Sequence, residues 1–166
     1  MLLPIQIFKS GCYVALGGID VCINDTELAD IAATYNRQRQ KAPLVLGHPF
    51  DDKPAYGWVE SLHYSDGALY AALQQVAPEL IDWVRAGRYK HVSAGFYPPF
   101  APANPRPGKY FLKHVGFLGA MVPAVKGLAP LMLCECADCV SSAQTQPLAL
   151  AEPYPSWSGC LQAVVS

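Results

Sequence analysis

Tyr56-Gly57-Trp58-Val59-Glu60-Ser61-Leu62-His63-Tyr64-Ser65-Asp66-Gly67-Ala68-Leu69-Tyr70-Ala71-Ala72-Leu73-Gln74 is the stretch whose reading decides the fold class. Ser65-Asp66-Gly67 is a tight-turn signal, because Gly and Asp accept backbone conformations other residues resist. The runs on either side, Tyr56 to Tyr64 and Ala68 to Gln74, predict two strands joined as a hairpin. Upstream, Leu44-Val45-Leu46 predicts a short buried strand that runs into Gly47-His48-Pro49, followed by a polar loop from Phe50 to Pro54. Downstream, Ala77 to Ala86 predicts a short helix, with Pro78 in its first turn, Leu80, Ile81 and Val84 facing inward, and Gly87 ending it.

Further out, residues 1–23 alternate apolar positions with glycine and predict a short hairpin. Asn24-Asp25-Thr26-Glu27 opens a helix: Asn24 caps the free amides, and Glu27, three residues on, reaches back. Leu28, Ile31, Ala32 and Tyr35 give that helix one apolar face. The basic stretch Arg37 to Lys41 lies at its C-terminal end, where positive charge suits the helix dipole. Tyr89 to Tyr97 and Tyr110 to Leu118 predict two more strands, separated by a proline-rich loop from Pro98 to Gly108 that excludes regular structure. After Pro130 the pattern dissolves. The expectation is an α+β domain over residues 1–130, mostly β with two helices packed on it, and an irregular, mobile tail over 131–166. Strands and helices do not alternate strictly, which argues against a doubly wound parallel sheet.

Composition narrows the function classes. The chain has 166 residues, enough for one core; 52% are hydrophobic and 15% charged, which marks a globular rather than a disordered chain. Net charge is −1 and no long basic run exists, so the footprint of a nucleic-acid binder is missing. No apolar stretch approaches the roughly 20 residues of a membrane span, and Met1 to Ile7 lacks the basic start and cleavage site of a signal peptide. Cys134, Cys136 and Cys139 crowd together, with Cys12, Cys22 and Cys160 elsewhere, unlike a secreted disulfide framework; reduced thiols in a cytoplasm are expected. Cys134-x-Cys136-x-x-Cys139 has the thiolates zinc favours but no evident fourth ligand, since Cys160 is distant and only Asp138 lies close by. No metal and no cofactor are expected.

The residues that could carry chemistry are one serine and the histidines. A serine hydroxyl needs a positioned base, and that base works better when a third group orients it. His48 ends a buried strand between Gly47 and Pro49, His91 and Ser93 lie two apart on one strand, and His114 sits mid-strand. Ser93-Ala94-Gly95 leaves room for a substrate backbone and for amides that could face an oxyanion. It is not the Gly-x-Ser-x-Gly elbow. Taken singly, each histidine is more readily a structural residue than a catalytic one, and Ser93 more so. Composition and spacing reach only a mixed α/β domain, with hydrolase among the options.

The order of motifs adds a resemblance. Pro43-Leu44-Val45-Leu46-Gly47-His48-Pro49 is followed by Ala55-Tyr56-Gly57-Trp58-Val59, Asp66-Gly67-Ala68-Leu69 and Gly87-Arg88-Tyr89-Lys90-His91-Val92-Ser93-Ala94-Gly95-Phe96-Tyr97. His114-Val115-Gly116-Phe117-Leu118-Gly119-Ala120 and Pro123-Ala124-Val125-Lys126-Gly127-Leu128 complete the series. This resembles the Mu-like prophage I protein family of phage capsid-maturation protease and scaffold proteins. More distantly it is similar to the prohead proteases of other tailed phages and to herpesvirus assembly proteases (assemblin). The resemblance implies a barrel-like β core with flanking helices. It also implies a serine endopeptidase that processes phage scaffold and major capsid protein precursors within assembling proheads in the bacterial host cytoplasm.

Residue by residue, the family serine matches Ser93 and the family histidine matches His48. The third member is a histidine on a later strand in the herpesvirus relatives and an acidic residue in other prohead proteases; His114 holds that place, with His91 as its rival. Neutral imidazole stabilises an imidazolium less than a carboxylate does, so a slow enzyme is expected. The backbone amides of Ala94 and Gly95, or those around Gly119-Ala120, are the oxyanion candidates. Herpesvirus relatives dimerise, so a homo-oligomer is admitted although no interface signature is visible; neither nucleic acid nor membrane is expected as a partner. Leu148-Ala149-Leu150-Ala151-Glu152 is a candidate self-cleavage site. Family members usually continue into a charged helical scaffold region, which Leu131 to Ser166 do not resemble. The alternative is therefore a truncated or catalytically inactive head-assembly protein of a prophage that binds scaffold or capsid.

Overall fold

In the computed structural model the chain runs β1 (Ile5–Lys9), β2 (Gly11–Val14), β3 (Asp20–Ile23), α1 (Asp25–Asn36), β4 (Leu44–Leu46), β5 (Trp58–Ser65), β6 (Ala68–Gln74), α2 (Pro78–Arg85), β7 (His91–Tyr97) and β8 (Phe111–Leu118). The structure describes residues 2–133 except positions 16, 17, 19, 50, 52 and 122. The cysteines at 134, 136, 139 and 160 and the candidate cleavage site at 148–152 lie outside the described residues, as does the expected tail beyond residue 133.

The central hairpin forms as its sequence dictates. β5 pairs antiparallel with β6 from Ser65↔Ala68 back to Trp58↔Gln74. Asp66 and Gly67 both adopt positive φ, 48° and 74°, as a two-residue turn matched to strand twist requires. β1 joins the other edge of β6, giving a sheet of order β1-β6-β5. The predicted hairpin over residues 1–23 is thus divided. Its second part, β2-β3, pairs with itself, and its first strand leaves to extend the central sheet, because Ile5, Ile7 and Phe8 are all buried there.

Cys12 and Cys22 stand directly opposite each other in β2-β3, with Cα atoms 4.0 Å apart, and their sulfurs are bonded. This corrects the expectation of reduced thiols for these two residues. Sequence spacing concealed the pair, because only the hairpin register brings the residues face to face.

The second three-stranded sheet, β4-β8-β7, carries a parallel pair (β4 with β8) and an antiparallel pair (β7 with β8). Among the described residues the three sheets do not join into a closed barrel, so the fold is mixed α+β and mostly strand, without the barrel-like closure expected. Aromatic packing joins them instead: Phe8 of β1 meets Phe96 of β7 edge-on at 5.1 Å.

Helix α1 has the capping box its sequence spells. Asn24 Oδ1 accepts from the Glu27 amide at 2.9 Å, and Glu27 Oε2 accepts from the Asn24 amide at 2.8 Å. Its buried face, Leu28, Ile31, Ala32 and Tyr35, covers the central sheet. Two polar residues at its end anchor it to neighbouring backbone. The fully buried Tyr35 hydroxyl donates to the Val59 carbonyl at 2.8 Å and accepts from the Ala42 amide at 2.7 Å. Asn36 makes a reciprocal pair with the backbone of Leu62, both bonds 2.8 Å. Burial pushes the Tyr35 phenol up to about 12, partly offset by the Ala42 hydrogen bond. Ala42 lies just before β4, so Tyr35 ties the helix to the strand that leads into Gly47-His48.

After β8 the chain stays packed: the Ala129 amide donates to Gln6 Oε1 at 2.6 Å, and Leu133 is buried in the core. No helix among the described residues is long and apolar enough to cross a membrane.

Candidate active site

Three strands and a turn bring the predicted residues together. In β7, Ser93 is paired with Gly116 of β8, and Gly95 with His114. Residues two apart on a strand share a face, and directly opposed residues project on the same side. Ser93, Gly95, His114 and Gly116 therefore form one face of the sheet, while Val92, Ala94, Val115 and Phe117 face the other way.

β4 supplies the third strand. Leu46 is paired with Phe117, and the chain then turns at Gly47, whose φ of +67° favours glycine. The Gly47 amide donates to the Phe117 carbonyl at 2.9 Å, which holds the turn against β8. The next residue, His48, is thereby carried over the sheet face at Gly116.

Two glycines make room for this. A β-carbon at Gly116 would collide with the Gly47 carbonyl oxygen and lie 3.4 Å from His48 Cε1. A β-carbon at Gly95 would lie 2.6 Å from His114 Nε2. The Gly47 carbonyl thus occupies the empty side-chain position of Gly116, and the His48 ring edge is in van der Waals contact with that position. Ser93, opposite Gly116 on this face, lines the same cavity as His48.

His48 Nδ1 and His114 Nε2 are 2.6 Å apart, a hydrogen bond in which the tautomers decide which ring donates. Ring centroids are 4.9 Å apart. His114 is only 4% exposed, while His48 and Ser93 are half-buried.

Ser93, Ala94, Gly95, His48 and His114 all line one cavity of about 590 Å³. Its walls are otherwise largely apolar and aromatic, including Phe8, Tyr13, Phe96 and Tyr110, and Asp20 and Lys113 are its other charged lining residues. Of the two oxyanion candidates, Ala94-Gly95 lies in this cavity; Gly119 and Ala120 are not among its lining residues. His91 is exposed and lines a different cavity, with Lys90 and Lys126. His63 sits on β5, opposite Tyr70 and away from this sheet. Among the described residues no group of three or more His, Cys, Asp or Glu side chains could hold a metal ion.

Sequence reading missed the two glycine spaces and the cavity rim. Gly95 was legible as small, but the ring filling its space comes from a residue far along the chain. The rim residues Val14, Phe100 and Met121 gave no pattern, since isolated apolar residues in loops are common.

No protein-family model matches the chain, and no curated protein matches it in sequence. Among solved structures, the fold is similar to that of Kaposi's sarcoma-associated herpesvirus protease. A crystal structure of that protease with an allosteric inhibitor aligns with a TM-score of 0.51 at 13% identity, over 86% of this chain and 82% of the other. A structure of the same protease with a dimer disruptor gives 0.50 at 15% identity, over 98% and 89%. Likeness at this identity is likeness of fold.

Proposed function

We propose that the chain is a serine endopeptidase of the phage capsid-maturation type, with Ser93 as nucleophile, His48 as general base and then acid, and His114 as the residue that orients His48. The observation that carries this reading is the 2.6 Å contact between His48 Nδ1 and His114 Nε2 in the cavity that Ser93 lines.

With His48 donating from Nδ1 to His114, its Nε2 is the basic nitrogen and takes the Ser93 proton. Ser93 Oγ bonds to the scissile carbonyl carbon, and the tetrahedral oxyanion is held by amides of the Ala94-Gly95 segment. On collapse the C–N bond breaks, and His48 gives its proton to the leaving amine. Water then attacks the acyl ester, again through His48, and Ser93 is regenerated. Fold similarity to a herpesvirus protease supports peptide-bond chemistry on this scaffold. The resemblance of residues 43–128 to Mu-like prophage I proteins supports phage scaffold and capsid precursors as substrates. That a similar structure holds a dimer disruptor supports a homodimer as the working form.

The test is labelling of the full chain by a small fluorophosphonate, with the site located by mass spectrometry. Ser93 is expected to carry the label, Ser93→Ala to lose it, and His48→Ala to slow it by at least about 10³-fold. A folded chain whose Ser93 resists the reagent refutes the peptidase reading and supports a head-assembly protein that works by binding.

A further inference from the structure

A second cavity, of about 600 Å³, opens at the His91 end of β7, between the α2–β7 link and the chain that follows β8. It shares Pro123 and Val125 with the first cavity but none of Ser93, His48 and His114. The peptidase mechanism makes no use of it.

Its walls are held in place by backbone. On one side the Gly87 amide donates to the Val84 carbonyl and the Arg88 amide to the Trp83 carbonyl, both at 2.9 Å. The Lys90 amide donates to the Leu118 carbonyl at 3.2 Å, which ties the link to β8. On the other side the Ala129 amide donates to Oε1 of the buried Gln6 at 2.6 Å. The lining is largely aliphatic, with Val84 buried and Leu128 and Leu131 half-buried.

The charged side chains of this lining are Lys90 and Lys126, with His91 beside them, and among the described residues no carboxylate lines it. A third ammonium stands close: Lys9 Nζ lies 3.9 Å from where a β-carbon on Gly127 would be. Among the described residues none of Lys9, Lys90 and Lys126 forms an ion pair. The chain as a whole carries 12 basic and 13 acidic residues, so three cations gathered without an acid are a local excess. Like charges around a concavity with low-dielectric walls focus a positive potential into it, which favours an anion. The aliphatic lining adds a second requirement, because a simple anion would leave Leu128 and Leu131 in water. A ligand that meets both sets carboxylates around an apolar side chain, as a polypeptide segment does. A nucleic-acid strand instead needs a longer basic track and aromatic rings for its bases; here a single Tyr89 ring stands among aliphatic residues.

We infer that this second cavity is a docking site for an acidic polypeptide segment of a partner protein, with an apolar side chain against Val84, Leu128 and Leu131 and flanking carboxylates on Lys90, Lys126 and Lys9. The inference stands whether or not Ser93 is reactive.

The experiment titrates the full-length chain into a dansyl-labelled peptide that alternates glutamate and leucine, read by fluorescence anisotropy. Beside it run the same peptide with glutamine for glutamate, the same peptide with serine for leucine, and a labelled single-stranded oligonucleotide of about 12 nucleotides. The glutamate–leucine peptide is expected to bind at least about tenfold more tightly than either substituted peptide. The double variant Lys90→Glu/Lys126→Glu should weaken it by about tenfold or more, and a rise in salt from about 50 to 500 mM should weaken it too. Thermal melting checks the fold; if the double variant melts early, Lys126→Ala replaces it, with an expected loss of about threefold. No binding of the glutamate–leucine peptide up to roughly 1 mM overturns the inference. So does equal binding of the glutamine peptide, or undiminished binding by the folded variant. Tighter binding of the oligonucleotide, lost in the variant, would make the cavity a phosphate-backbone site and also overturn it. If sedimentation shows a dimer that the variant dissociates and the peptide does not, the surface serves self-association and the inference falls.

Discussion

Gly95→Ala tests the geometry of the site through a single methyl group. The added carbon would lie 2.6 Å from His114 Nε2, 2.9 Å from Cδ2 and 3.0 Å from Cε1. Carbon contacts become comfortable at about 3.5 Å, so the ring must retreat by about 1 Å. The atom displaced most is the one that meets His48 Nδ1 at 2.6 Å. A shift of that size takes the pair to the limit of hydrogen bonding or past it. His114 is buried, so its movement also costs about 1–3 kcal/mol of overpacking. The expected result is a folded but less stable chain in which Ser93 reacts with a fluorophosphonate about 10²-fold more slowly, since about 1 Å of misplacement carries a penalty of that order. The decisive measurement is the same substitution in a His114→Ala background. With the ring gone the methyl has space, and Gly95→Ala should cost little more. An equal loss in both backgrounds would mean that Gly95 acts through its own backbone, as an oxyanion amide, and the steric argument would be wrong.

Gly116→Ala should be harsher than Gly95→Ala, because its β-carbon meets the Gly47 backbone carbonyl rather than a side chain that can rotate. A loss of about 2 kcal/mol or more by urea melting is expected, and wild-type stability would argue that β4 is not seated on β8 in this way. Tyr35→Phe should cost about 2 kcal/mol at neutral pH, because the buried Ala42 amide loses its acceptor. The Tyr35 pKa is raised from 10.0 to about 12 in the fold, so the folded state favours the neutral phenol; its contribution is complete below about pH 10 and is lost as pH rises through 12. Urea melts at pH 7, 9 and 11 should show a fall of about 1 kcal/mol by pH 11 that Tyr35→Phe abolishes; an identical fall in the variant would assign it to other groups.

What was legible in the sequence was local. The capping box at Asn24 and Glu27, the Asp66-Gly67 turn and Pro78 at the start of α2 are each decided by a few adjacent residues. Pairings between distant segments were not legible. That β1 would extend the central sheet depends on where Ile5 and Ile7 find apolar cover, a property of the assembled core. The Cys12–Cys22 bond comes from hairpin register, and thiol spacing does not disclose it. The site was intermediate. Ser93, His48 and His114 were nameable through resemblance, but each alone had an ordinary structural reading. What brings the histidines together is the parallel seating of β4 on β8, across 66 residues of chain.

The register of β7 on β8 makes core and site depend on one another. On one face Ser93 opposes Gly116 and Gly95 opposes His114, so each candidate side chain stands opposite a glycine. On the other face Val92 opposes Phe117 and Ala94 opposes Val115, and three of these four are buried in the hydrophobic core. Side chains alternate along a strand with a period of two, so a slip of one residue would turn the valines and Phe117 toward the cavity and the histidine into the core. Taking the buried His114 imidazole from its His48 partner while turning that apolar set toward the cavity would be unfavourable. The hydrophobic pattern therefore favours this register, and the register in turn sets Ser93 opposite the glycine over which the Gly47-His48 turn passes.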